Sequence, residues 1–143
     1  MKRAGGKVFL HTNVFVYTFD AGAPAKRARA RQAVAQALET RSGVISWQVV
    51  QEFLNVASRK FAKPMTAAEA HIYLDRVLMP LCEVFPSASL YAEAYSTAAE
   101  TRISLYDALI VRAALAAGCA TLLSEDLQHG RLFGRLEVRN PFL

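Results

Sequence analysis

Apolar residues along the chain fall into short continuous runs separated by longer stretches of helical spacing, and this alternation predicts an α/β fold. Lys7 to Leu10 is continuous rather than alternating, as expected of a strand buried on both faces. Further strands are predicted at Val44-Ile45, Leu81 to Phe85, Ala120 to Leu123 and Leu136 to Val138. Between them lie helical segments. Thr12 or Asn13 is placed to cap a short helix through Phe19, and an alanine-rich helix spans Ala25 to about Thr40. Ser46 precedes an amphipathic helix from Trp47 to Phe61, stopped by Lys63-Pro64. The capping box Thr66-Ala-Ala-Glu69 opens a helix that ends before Pro80. Ser87 or Ser89 caps a helix to about Arg102, and Ser104 starts one that terminates at Gly118. Strands alternating with helices imply a mainly parallel sheet with helices on both faces.

The polar positions acquire meaning from that layout. In an open α/β sheet, ligands bind at the carboxyl ends of the strands. The first strand runs straight into His11-Thr12-Asn13, and three acids lie near later junctions. Glu52 shares a helix face with Gln48, Asn55 and Arg59; Asp107 stands in a first helical turn; Asp126 follows a strand in Ser124-Glu125-Asp126. Each acid has an ordinary explanation. Glu is a good helix former. An Asp near a helix start gains about 0.3–1 kcal/mol from the dipole, and Asp is a common turn residue.

Composition narrows the class of protein. A length of 143 residues is one domain and suffices for a core without disulfides or a structural metal. Cys82 and Cys119 lack metal-ligand spacing and read as small core residues in a reducing compartment. The formal charge of +5 favours a polyanionic or acidic partner. Lys2, Arg3 and Lys7 precede an apolar run too short for a signal peptide, and Arg112 interrupts the best membrane-span candidate. A soluble, cytoplasmic protein without a membrane partner is expected. Arg27 and Arg31 in the Lys26 to Arg31 cluster, together with Arg131, are candidate contacts to nucleic-acid phosphates or to an acidic partner segment, against a plain solvated face.

Taken in order, the motifs resemble the PIN-domain ribonucleases, most closely toxins of the VapC type. Val8 to Val14 resembles the opening strand with its Asp-Thr-Asn triplet, and Ile45 to Phe53 the Ser-capped helix with one Glu. Leu105 to Ile110 is similar to the third motif, Leu122 to Leu127 to the fourth, and Val138 to Phe142 to the usual chain end. The resemblance implies a single PIN domain over residues 1–143, built as a three-layer sandwich around a four- to five-stranded mainly parallel sheet. It implies a Mg²⁺-dependent endoribonuclease, with Mn²⁺ as a substitute, a homodimer, and a small antitoxin partner. Clustered carboxylates repel, and a divalent cation relieves that repulsion, activates water and stabilises the leaving oxygen. On this resemblance Asp107, Asp126 and Glu52 are metal ligands, and Thr12, Asn13 and Ser124 support them. Asp126 is preferred to its neighbour Glu125, because the motif sets its acid two residues after Ser or Thr.

One position departs from the motif. The family carries Asp where this chain has His11. An imidazole suits Zn, Ni or Mn better than Mg²⁺, and among three acids it is expected to hold a proton at pH 7. The implied catalytic set of His11, Glu52, Asp107 and Asp126 should therefore bind Mg²⁺ poorly and cleave RNA slowly or not at all. Two other readings stay open: a catalytically inactive RNA- or antitoxin-binding module, and a phosphatase. The second lacks a first-strand Asp nucleophile and a phosphate-cradling Gly-rich loop.

Overall fold

The computed structural model describes residues 6–143, so Lys2 and Arg3 lie outside the described residues. The strands are β1 (Lys7–Leu10), β2 (Gly43–Ser46), β3 (Cys82–Val84), β4 (Cys119–Leu123), β5 (Leu132–Phe133) and β6 (Leu136–Arg139). They form one sheet in the order β3-β2-β1-β4-β6-β5. The pairs β1–β2, β1–β4, β2–β3 and β4–β6 are parallel, and only β5 runs antiparallel, beside β6. The sheet thus holds one strand more than the four or five expected. The addition is a two-residue edge strand that turns back through Gly134, whose φ of +59° suits glycine.

Alternate residues of a strand point to opposite faces, so a strand buried at every position is covered on both sides. All four residues of β2 are buried. The covering helices are α1 (Thr12–Tyr17), α2 (Pro24–Glu39), α3 (Trp47–Arg59), α4 (Ala67–Tyr73), α5 (Met79–Leu81), α6 (Ala88–Thr101) and α7 (Leu105–Ala116). Helices α2, α3 and α7 all pack on β2. The result is the expected three-layer arrangement, with Phe9, Leu10, Ile45, Ile110 and Leu122 fully buried at its centre. None of the helices among the described residues is long and apolar enough to cross a membrane.

Several local expectations need correction. Pro80 does not end the helix before it. Residues Leu74–Leu78 widen into a π-helical turn, and Pro80 then sits in the first turn of α5, where its missing N–H is harmless. The amphipathic helix α3 stops at Arg59 rather than Phe61. His11, not Thr12 or Asn13, takes the cap position of α1, and its side chain makes no capping bond. Ser46 precedes α3 as expected, but its hydroxyl makes no capping bond and has no partner among the described residues. Cys119 is buried, whereas Cys82 is only partly so.

The start of β2 lies close against α2. A Cβ added to Gly43 would come 2.5 Å from the Ala37 Cβ and 3.1 Å from Leu81 Cδ2. Overpacking of this kind costs about 1–3 kcal/mol. Gly43→Ala is accordingly expected to lower the urea midpoint by an amount in that range, with the slope unchanged.

Candidate active site

The strand order reverses at β1, which has β2 on one side and β4 on the other. Such a switch point opens a crevice at the carboxyl ends of the strands, and the polar residues after β1, β2 and β4 meet there. His11 leaves β1 and donates its backbone N–H to Leu123 O at 3.0 Å, which fixes it beside the end of β4. Its ring is buried, with Nδ1 2.9 Å from Ser124 Oγ and 3.7 Å from Asp126 Oδ2. Ser124 Oγ also accepts the Asp126 N–H at 3.1 Å, so one hydroxyl joins the imidazole to the acidic turn.

Glu52 arrives from α3, which follows β2 directly. Thr12 Oγ1 donates to Glu52 Oε1 at 2.7 Å, and Gln48 Nε2 lies 3.4 Å from Oε2. The same Nε2 donates to the Tyr106 carbonyl at 3.1 Å, at the start of α7. Asp107 is the next residue. Its backbone N–H is bound by Ser104 Oγ at 3.0 Å, while its half-buried carboxylate has no hydrogen-bond partner among the described residues. A cavity of about 500 Å³ is lined by His11, Thr12, Asn13, Tyr17, Glu52, Asn55 and the Glu125-Asp126 pair, with Asp107 outside its lining.

Glu125 is engaged differently from its neighbour. Its carboxylate pairs with Lys26, whose ammonium also donates to Tyr17 Oη at 3.3 Å. Burial alone would raise the Glu125 carboxyl, but the hydrogen bonds from Lys26 and Tyr17 hold it below its ordinary value. The Glu125 N–H points to Asn13 Oδ1 at 3.4 Å. Asp126 is the member of the pair that faces His11.

The charge expected on His11 is not found. Burial pushes the imidazole below its ordinary 6.5 and outweighs the attraction of Asp126, Glu52 and Asp107. The ring is neutral at pH 7, because desolvating an imidazolium costs more than three nearby but separated carboxylates return. No three His, Cys, Asp or Glu side chains among the described residues lie close enough to hold one ion. The donor set does not fit Mg²⁺: position 11 presents an imidazole bound to Ser124 where the ion prefers a hard oxygen.

Of the basic candidates, Arg31 Nε donates to Thr18 O at 2.9 Å. Arg131 donates to Thr101 O at 3.0 Å and lies 4.7 Å over the Phe133 ring. Arg27 has no side-chain partner among the described residues and is the free cation of the three. Sequence reasoning did not single out Lys26 or Gln48 as part of the site. The spacing of Gln48, one turn before Glu52 and on the same face, was the available signal.

The buried imidazole has a pH signature. Above pH 6.5 both folded and unfolded chains hold it neutral; below, the unfolded chain takes up a proton that the folded chain refuses. Stability should fall as pH drops from 6.5 through the lowered folded value, by up to about 1.4 kcal/mol per pH unit. In urea titrations, His11→Asn is expected to lose less stability over that window than the unaltered chain.

Comparison with known proteins agrees with this architecture. The chain resembles VapC20 of Mycobacterium tuberculosis, a toxin that cleaves the sarcin-ricin loop, at 18% identity and a TM-score of 0.61. That match covers 84% of this chain and 92% of the other. FitAcB of Neisseria gonorrhoeae matches at 20% and 0.62, over 94% of this chain and 98% of the other. VapBC2 of Rickettsia felis, solved with a DNA fragment from their promoter, matches at 21% and 0.61, over 93% and 97%. At such identities these are likenesses of fold. No curated protein sequence matches the chain. The family model of the PIN domain matches residues 8–132, and the chain belongs to the PIN-domain family.

Proposed function

We propose that this chain is a toxin-type PIN endoribonuclease whose divalent-metal chemistry, on Mg²⁺ or Mn²⁺, is impaired at His11. The observation that carries this reading is the assembly of Thr12-held Glu52, Asp126 and the nearby Asp107 around one buried, neutral imidazole at the switch point. A metal-dependent phosphodiester hydrolase needs carboxylates there to bind cations, and a carboxylate at position 11 would supply the hard oxygen that His11 lacks. Glu52, Asp107 and Asp126 are assigned to the metal, and Thr12, Asn13 and Ser124 to holding the carboxylates and the scissile phosphate in place. Arg27 is the basic residue best placed to take an RNA phosphate, since Arg31 and Arg131 have partners within the fold. A small antitoxin and a second copy of the chain are the proposed protein partners, in keeping with the toxin complexes of like fold.

A second reading is favoured by the lack of three converging ligands among the described residues. In that case the domain binds RNA or an antitoxin and cleaves nothing. The two readings part on one substitution. His11→Asp is expected to cleave structured RNA in Mg²⁺ or Mn²⁺ at least about 10–100-fold faster than the unaltered chain, the range that even outer-shell changes around a metal produce. Adding Asp107→Asn should remove the gain. Tight metal-free RNA binding with no cleavage by His11→Asp would favour the binding module. If neither chain cleaves and Asp107→Asn leaves metal binding unchanged, the nuclease reading fails.

A further inference from the structure

We infer that Lys26 is a phosphate-binding residue at the mouth of the cavity, taking one phosphodiester of a single-stranded RNA with no metal ion involved. This rests on RNA binding, which the nuclease and the binding-module readings above share. Lys26 belongs to the first turn of α2, and its ammonium reaches two residues of the cavity lining, Glu125 and Tyr17. It stands 4.9 Å from the centre of the Tyr17 ring and 5.7 Å from that of Phe142. Those two rings meet edge to face at 4.8 Å. Three segments besides its own helix therefore hold one cation in place: α1, the turn after β4, and the stretch that carries Phe142.

The helix itself does not call for a lysine at this position. A cation in a first helical turn opposes the dipole, and an ion pair as exposed as this one contributes little to stability. What the arrangement supplies is a fixed donor. An ammonium carries three N–H groups. Glu125 and the Tyr17 hydroxyl take two of them, and the third has no partner among the described residues. The Lys26 side chain is 40% exposed, so that third donor meets solvent. Deeper in, the carboxylates of Glu52, Glu125 and Asp126 line the cavity and repel a polyanion. A phosphate is therefore met at the rim, where Lys26 stands, and not at the floor. Holding the ammonium in advance lowers the ordering cost of that contact.

The test is the binding of labelled single-stranded RNA to the unaltered chain in EDTA, followed by fluorescence anisotropy across a salt series. Lys26→Met is expected to weaken binding to all sequences alike. It should also make the slope of log affinity against log salt shallower by about 0.7, the loss of one single-strand phosphate contact. Lys26→Arg should keep the slope. Because removing the ammonium also unmasks Glu125, the decisive protein is Lys26→Met combined with Glu125→Gln, whose slope should stay reduced. A slope restored in that double variant would overturn the assignment, since Lys26 would then act only by neutralising Glu125. An unchanged slope in Lys26→Met would overturn it too, as would a loss of affinity that follows a fall in the urea midpoint. If the unaltered chain binds no RNA even at low salt, the RNA reading itself fails, and the role of Lys26 with it.

Discussion

The pairing of β1 with β2 on one side and β4 on the other determines where everything else in this molecule can act. A parallel strand so placed is hydrogen-bonded along both edges, and its carboxyl end opens on the crevice where the strand order reverses. The residues there, His11-Thr12-Asn13, are therefore brought beside Ser124 by strand register and not by side-chain attraction. The register of the apolar strands sets those distances. Helix α3 then begins directly after β2 and carries Glu52 over the same crevice, where Thr12 takes hold of it.

Within that frame two electrostatic effects compete at position 11, and their balance decides the chemistry. Nearby carboxylates favour a cationic imidazole, and removal from water disfavours it. Burial prevails, and it pushes the imidazole below its ordinary value. Asp126 faces the imidazole, while Glu125 is drawn to Lys26 and Tyr17 on the rim. The two adjacent acids thus have separate partners, although both line the same cavity.

The order of strands and helices was legible from the sequence, because continuous apolar runs and cap residues depend on neighbours close along the chain. Lys7–Leu10 needed no tertiary information to be placed as the central strand. The acids were legible only as a set, through their junction positions and their order. Contacts decided by long-range packing were not legible. The π-helical turn before Pro80 is one instance, and the short strand Leu132–Phe133 is another. The state of His11 was misjudged for the same reason: counting neighbouring charges ignores how completely the ring is buried. Arg31 and Arg131 looked like phosphate contacts because a one-dimensional pattern does not show that Thr18 and Thr101 carbonyls already hold them.

The proposed function turns on His11, a buried imidazole standing where the proposal requires a hard-oxygen metal ligand. Mg²⁺ titration of the RNA-free protein tests it most directly, because backbone amide shifts report ion binding residue by residue. The expected result is no selective shift change at Ser124, Asp126 and Asp107 in the unaltered chain, at Mg²⁺ concentrations that shift all three in His11→Asp. Equal, site-specific changes in both proteins would contradict the account, since His11 would then be no obstacle to the metal.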